Sequence, residues 1–291
     1  MAALKDIKRK ITAVQKTRQI TRAMNMVAAS KFKSAQTRMD NFRHYAVKFM
    51  EVLGHIARQA DAESHPLLAL REPRRLRIVC MTSDRGLCGG FNNNLIRTAE
   101  RFMKKQRDEG RQVSLTPIGR KARDFFRKKE TLVDARADVF ARFDMNLAVQ
   151  IAEDLIGPFV NEAYDELYLI YNEFVSVAVH RPTVVRLFPL TAIAGSRESD
   201  PGTGPDTIYE PSAGALLEKL LPMYVHILIY RALVETSAGE NGARMAAMDN
   251  ATRNCEEMIH SLTLKYNKVR QSAITAELMD IVGGTEALAK G

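Results

Sequence analysis

The sequence predicts an α/β chain in which long helices from its two ends pair as an antiparallel coiled coil, joined through a layered strand-and-helix domain. Three observations predict it. The first 53 residues hold no Gly or Pro, and apolar side chains recur along them at steps of three and four. A second run with the same spacing closes the chain. Between the two, short apolar runs alternate with helical stretches, the pattern of a layered α/β structure.

The N-terminal seam passes through Leu4, Ile7, Ile11, Val14, Thr17, Ile20, Met24 and Val27, then through Phe32, Ala35, Met39, Phe42, Ala46, Phe49, Leu53 and Ile56. Repeated over many turns, this spacing predicts a coiled coil. At 1.5 Å per residue such a helix runs about 80 Å, longer than a small domain is wide, so it is expected to project from the globular part. Residues 1–60 form this element, and they carry most of the chain's basicity. They hold 13 Lys or Arg against 3 Asp or Glu, whereas the rest of the chain holds 30 against 31. The formal charge of +9 therefore belongs to the first helix.

Three cysteines, Cys80, Cys88 and Cys255, form no close pair and no metal-ligand spacing, which predicts a reducing compartment and no disulfide framework. The basic opening lacks the uninterrupted apolar region of a signal peptide. The most apolar stretch, Ala213 to Val234, is broken by Glu218, Lys219, His226 and Arg231, which argues against a direct membrane span.

After Gly54 the composition shifts, and His65-Pro66 and Glu72-Pro73 mark a linker. From residue 74 to residue 190 the period changes. Leu76 to Met81, Val113 to Pro117, Leu167 to Phe174 and Thr183 to Phe188 read as strands, with helices at Asn93 to Gln106, Arg120 to Lys128 and Met145 to Asn161. This order predicts a Rossmann-like α/β domain with a largely parallel sheet, in which the last two strands are candidates for an antiparallel edge pair. Residues 191–211, rich in Gly, Pro, Ser and Asp, read as an exposed loop. Residues 212–291 form the second long helix, with a seam at Met245, Met248, Thr252, Cys255, Ile259, Leu262, Tyr266, Val269 and Ala273. Pro222, Gly239 and Gly242 predict a late start or a kink, and Gly283-Gly284 predicts its end.

The segment Ala23 to Ser30 (AMNMVAAS) is small or apolar on every face. A helix apolar all round needs cover all round, either from a third helix of the same chain or from a larger partner enclosing it. The run Ser83 to Asn94 (SDRGLCGGFNNN) lies between a strand and a helix, where phosphate-binding loops occur. Its glycines are spaced G-x-x-G-G, matching neither G-x-G-x-x-G nor a P-loop, and no Lys-Ser/Thr follows. A tight turn with Asn92 or Asn93 as helix cap is the plainer reading. Cys88 lacks a neighbouring base, the histidines show no metal spacing, and His180 reads as a polar loop residue. Glu153/Asp154 and Glu256/Glu257 read as solvated helix faces. No catalytic, cofactor-binding or metal residue is predicted.

The opening KRKITAVQKTRQITRAMNMVAASKF, the segment SDRGLCGGFNNN and the closing ARMAAMDNATRNCEEMIHSLTLKYNKVRQSAITAELMDIVGG resemble, in order and from end to end, the gamma subunit of the bacterial F-type ATP synthase. That resemblance implies a non-catalytic rotor shaft and central stalk in ATP synthesis and hydrogen ion transport. Partners are implied to be three alpha and three beta subunits around the shaft, an epsilon subunit and a membrane c-ring. It implies a peripheral place on the cytoplasmic face of the inner membrane. Among site residues it implies beta-subunit or torque contacts at Met24, Arg244, Arg270, Gln271, Thr275 and Glu277, with Arg244 and Met24 facing an acidic lever. It also places the family motif Asp84, Arg85, Gly86, Cys88, Gly89 and Gly90 near the top of the α/β domain. The stretch Gly195 to Pro205 departs from the family pattern, as does Pro222, and no insertion carries a close cysteine pair of the chloroplast kind.

A basic coiled coil is also the pattern of a nucleic-acid-binding arm or a scaffold. Here Phe32, Phe42 and Phe49 lie on the seam instead of forming a stacking platform, which disfavours nucleic acid. An enzyme with helical extensions would need a phosphate loop or catalytic constellation that the sequence lacks.

Overall fold

The structure, a computed structural model, describes residues 2–59, 65–177, 179–190, 210 and 212–289. The expected loop at 191–211, Glu210 apart, and the Gly195–Pro205 stretch lie outside the described residues. The chain divides into two compact units, one of residues 29–244 and one of residues 1–28 with 245–291. Helices α1 (Ala2–Gln59) and α5 (Ala213–Ala289) supply residues to both.

In the larger unit a four-stranded sheet has the order β2-β1-β3-β4, with β1 (Arg75–Met81), β2 (Gln112–Ile118), β3 (Glu166–Phe174) and β4 (His180–Phe188). Strand β1 pairs in parallel with both β2 and β3, and β4 runs antiparallel at the edge. A central strand covered on both faces needs apolar side chains at every position. In β1, Ile78 and Cys80 face α2 (Phe91–Asp108) and α3 (Arg120–Phe126), meeting Leu95, Ala99, Met103 and Phe126. Val79 and Met81 face the opposite way into a second core. There Ile151, Leu155 and Phe159 of α4 (Met145–Val160) meet Leu221, Val225 and Ile229 of α5 and Leu53 and Ile56 of α1. Asp144 caps α4 by accepting from the Leu147 N–H at 3.0 Å.

The apolar stretch of α5 passes a length-and-composition test for a membrane span, but its Leu217, Leu221, Val225, Ile229 and Leu233 are buried in this second core. The burial also explains why Pro222 neither delays nor interrupts α5, contrary to the sequence expectation. Each buried Leu or Val contributes roughly 1.5–3 kcal/mol, so a few outweigh the ~3 kcal/mol cost of a helical proline. Nor do the glycines break the helix. A Cβ on Gly239 would lie 2.8 Å from Phe91 Cε2 and 3.3 Å from His180 Nδ1, and one on Gly242 would lie 3.3 Å from the Val177 carbonyl. They permit close approach of α5 to the sheet edge. At the far end, α5 runs past the expected stop at Gly283-Gly284 to Ala289.

In the smaller unit α1 and α5 are antiparallel. Thr21 Oγ1 lies 2.8 Å from Thr252 Oγ1, and Arg18 Nη1 lies 3.9 Å from Glu256 Oε1. On α5 the buried and half-buried residues follow the seam read from the sequence. On α1 they do not. Ile20 is 60% and Val27 57% exposed, while Thr21 and Ala28 are buried and Arg18 and Asn25 half-buried. The sequence path Val14–Thr17–Ile20 takes two consecutive steps of three, which turns the stripe around the helix. The structure keeps alternating fours and threes through Val14, Arg18, Thr21, Asn25 and Ala28, the only spacing that stays on one face. Between Val14 and Ala28 polar groups thus share the seam, while Ile20 and Val27 face outward.

Two substitutions separate backbone strain from helix propensity. Gly119, after β2, has φ +98°, and a Cβ there would lie 2.1 Å from the Thr82 carbonyl oxygen. Gly119→Ala is expected to cost about 3 kcal/mol or more in urea unfolding. Gly54→Ala, in α1 with nothing within 4 Å of the new methyl, should stabilise by roughly 0.5–1 kcal/mol. A third prediction concerns acid. Asp165 accepts from the Arg74 N–H (3.0 Å), the Arg75 N–H (2.7 Å) and the Arg75 guanidinium (2.9 Å). Burial pushes its carboxyl up, but these donors outweigh burial and hold it below the usual carboxylate value. Its stabilisation is therefore complete above the ordinary Asp range and is lost as pH falls through the depressed folded-state value. The stability of Asp165→Asn should depend less on pH than that of the parent in this acid range, read by denaturation at stepped pH.

Candidate functional site

The loop from Thr82 to Gly90 leaves the C-terminal end of β1 and enters α2. Ser83 and Asn92 tie it to the helix: Asn92 Oδ1 accepts from the Ser83 N–H at 3.0 Å, and Asn92 Nδ2 donates to Ser83 Oγ at 2.8 Å and to Cys88 Sγ at 3.2 Å. Asn92 is thus a buried tether and not the expected cap; the N-cap is Gly90, whose backbone starts the helix without a side-chain bond. Thr82 Oγ1 accepts from the Ala122 N–H at 2.8 Å, joining the loop to α3.

Asp84 organises the neighbouring segments. Its Oδ1 accepts from the Arg120 N–H (2.9 Å) and the Asp138 N–H (2.8 Å), and its Oδ2 accepts from the Phe140 N–H (2.9 Å). A carboxylate bonded to three backbone donors fixes three chain segments at one point. Arg85 and Leu87 are exposed, Leu87 with φ +61°, and Gly89 has φ +58°. Cys88 is 2% exposed, and burial pushes its thiol up against the opposing pull of Arg244. Cys80, in β1, is pushed up to about 12 by burial alone. Neither is a poised nucleophile.

Helix α5 closes this end of the sheet. Arg244, 8% exposed, donates from Nε and Nη2 to the Gly86 carbonyl at 3.3 and 3.2 Å and from Nη2 to Glu240 at 2.5 Å. Burial raises the Glu240 carboxyl, with Arg244 pulling the other way. In open α/β sheets ligands bind at the carboxyl ends of the strands where the order switches, here between β1 and β3. In this chain Phe91 and α5 fill that crevice: Asn172 of β3 donates to the Phe91 carbonyl at 3.1 Å, and Gly239 sits against the Phe91 ring. Beside it a cleft of about 390 Å³ remains, lined by basic residues of α1, Arg85, Arg120, Arg142 and Arg244.

The residues assigned by resemblance to partner contacts fall into different settings. Arg244 is buried against the motif Asp84–Gly90. Met24 is half-buried on α1, beside the exposed Met26 and Val27. Arg270, Gln271, Thr275 and Glu277 are exposed on α5, where Thr275 Oγ1 donates to the Gln271 carbonyl of its own helix (3.0 Å). Beyond Ala273, the register leaves α5 with no opposing α1 residue, and Ile274, Leu278, Met279, Ile281 and Val282 are exposed. Sequence reading missed the Thr21–Thr252 and Arg18–Glu256 pairs, whose signal was polar residues at heptad spacing. The acidic pairs are exposed, as read from the sequence, and Glu153 also lies 2.7 Å from His226 Nε2 while Asp154 pairs with Arg136. His180, read as a loop residue, begins β4, its ring 5.5 Å from that of Phe91, and burial lowers its pKa. Among the described residues no group of three or more His, Cys, Asp or Glu is placed to hold a metal.

A family profile described as ATP synthase matches residues 3–288. The chain is 67% identical, over the whole of both chains, to the ATP synthase gamma chain of Syntrophus aciditrophicus. Its fold matches a chain from the central stalk and c-ring of the Tetrahymena thermophila mitochondrial ATP synthase, with TM-score 0.61 and 25% identity, covering 80% of this chain and 99% of that one. It also matches a chain in the Euglena gracilis mitochondrial enzyme, with TM-score 0.71 and 19% identity, covering 99% and 95%.

Replacing Asp84 by Ala leaves three backbone N–H groups without their acceptor and is expected to destabilise the larger unit by about 2–4 kcal/mol. Hydrogen exchange should localise the loss to the amides of Arg120, Asp138 and Phe140; unchanged protection there would contradict the assigned role.

Proposed function

The chain belongs to the ATP synthase gamma chain family, and from that membership we propose that it is the central shaft of the rotor, passing torque between the membrane c-ring and the catalytic alpha and beta subunits. It is a non-catalytic subunit of a membrane-associated complex; nucleotide chemistry belongs to the other subunits. The observation that carries the shaft reading is the set of apolar side chains left facing outward, among basic residues, on the two-helix unit. Ile20, Met26 and Val27 on α1 and Ile274 to Val282 on α5 are exposed at levels that a free helix pair in water would not favour. An enclosing ring of partners gives them cover, the second of the two alternatives left open by the AMNMVAAS segment.

Three identical beta subunits around a helix pair each meet a different side of it. Rotation changes their states only through contacts that differ between states. Driving a two-state subunit from 1:99 to 99:1 takes about 5.5 kcal/mol of differential contact. Burying three side chains such as Ile20, Met26 and Val27 contributes roughly 1–2 kcal/mol each, so a few shaft residues suffice. We assign beta-subunit contact to Met24, Arg270, Gln271, Thr275 and Glu277, a reading supported by their place beside these exposed apolar groups. Arg244 is assigned the same contact, and it also holds the Asp84–Gly90 loop that presents Arg85 and Leu87. The basic first helix would attract acidic levers over about a Debye length, ~8 Å at physiological salt. An epsilon subunit is a further proposed partner, and the cytoplasmic face of the inner membrane the proposed location.

Native mass spectrometry of the chain co-expressed with its alpha and beta subunits tests the reading, together with ATPase assays with and without residues 271–291. One copy per three alpha and three beta subunits, with turnover or coupling changed by the truncation, is expected. A chain that stays outside the assembly would refute the shaft role.

A further inference from the structure

The cleft beside the Asp84 loop carries positive charge that the fold does not neutralise. Six cations line it, Lys31, Arg38, Arg85, Arg120, Arg142 and Arg244, with three carboxylates. All three carboxylates are engaged within the chain: Glu240 by Arg244, Asp138 by Arg120 and Asp84 by three backbone N–H groups. Among the described residues Arg38 pairs with no carboxylate and lies over the Phe143 ring, 5.8 Å away. Among the described residues, Lys31, Arg85 and Arg142 pair with no carboxylate. Four cations from α1, the loop after β1 and the segment after residue 141 therefore share one concavity with no carboxylate in ion-pair contact with them among the described residues. Such an arrangement repels itself and concentrates multivalent anions.

The setting is preorganised. The buried Glu240–Arg244 pair and the triply bonded Asp84 hold its floor, so little ordering is needed on binding. Arginines offer forked donors matched to phosphate oxygens, and the hydroxyls of Ser34 and Ser237 line the same space. At about 390 Å³ the cleft has the size of a small-ligand site. Phe140 and Phe143 add an aromatic wall. We propose that this cleft binds a small oligophosphate, the di- or triphosphate group of a nucleotide or its inorganic counterpart, through Lys31, Arg38, Arg85 and Arg142.

The test is isothermal titration of the full chain at near-physiological salt with inorganic tripolyphosphate, ATP and a poly-glutamate peptide. Saturable binding of one tripolyphosphate or ATP per chain is expected. Lys31→Glu with Arg142→Glu should weaken it by about a hundredfold, roughly tenfold per reversed charge. Lys5→Glu with Lys16→Glu, reversals of equal charge in the other basic cluster on α1, should leave it unchanged. Lys31→Gln with Arg142→Gln, which removes charge from exposed positions without reversing it, should weaken binding while keeping the thermal midpoint. ATP binding tighter than tripolyphosphate would assign the ligand as a nucleotide held also by the aromatic wall; equal affinities would assign the phosphate chain alone. The proposal is overturned by absence of saturable binding, by equal loss in the Lys5/Lys16 variant, or by a poly-glutamate peptide that binds more tightly than tripolyphosphate.

Discussion

Two helices drawn from opposite ends of the chain must bury one narrow seam against each other, and the smaller unit depends on that requirement. An isolated helix of such length gains little in water from propensity alone; its stability comes from the apolar face it covers. Antiparallel pairing sets Thr21 against Thr252 and Arg18 beside Glu256, and these polar pairs fix register where apolar contacts alone would tolerate a slip. A polar residue at a seam position costs stability and specifies alignment. The outward face is then free to hold Ile20, Met26 and Val27. A surface of this kind is suited to a rotor, because partners grip the outside while the inside keeps the two helices moving together.

In the larger unit the same two helices meet a sheet instead of only each other. Helix α5 packs closely enough on the switch-point crevice that Gly239 admits no side chain without meeting Phe91. A site that in other α/β proteins receives a cofactor receives here part of the chain's own helix. Arg244 and Glu240 then fasten that helix to the Asp84–Gly90 loop. The motif by which the family is recognised in this domain is therefore a structural joint between helix and sheet, with exposed Arg85 and Leu87 as its outward edge.

Much of this was legible in residue spacing. The four strand runs, the edge antiparallel pair and the α5 seam follow from period and composition, because burial on both faces or along one stripe leaves a regular apolar pattern. What misled was local chemistry without its tertiary context. Ile20 and Val27 look like seam residues because they are apolar, yet helical geometry requires Thr21 and Ala28 there. Pro222, Gly239 and Gly242 look like breakers, yet buried Leu and Val side chains carry the helix through the first, and close packing explains the other two. Asn92 looks like a cap until Ser83, nine residues earlier, is seen to bond it. The positive φ of Gly119 left no signature in a single sequence.

Within the smaller unit α1 and α5 act as one body. Thr21→Cys with Thr252→Cys, in a Cys255→Ala background, places two thiols where the hydroxyl oxygens now lie 2.8 Å apart. The measurement is ATPase activity and rotation of the assembled complex before and after oxidation of that pair. Full activity with the helices covalently joined is the predicted result. Failure of the thiols to join, or activity lost on oxidation and restored by reductant, would contradict the account, since it would mean that the helices are misregistered or must move past each other.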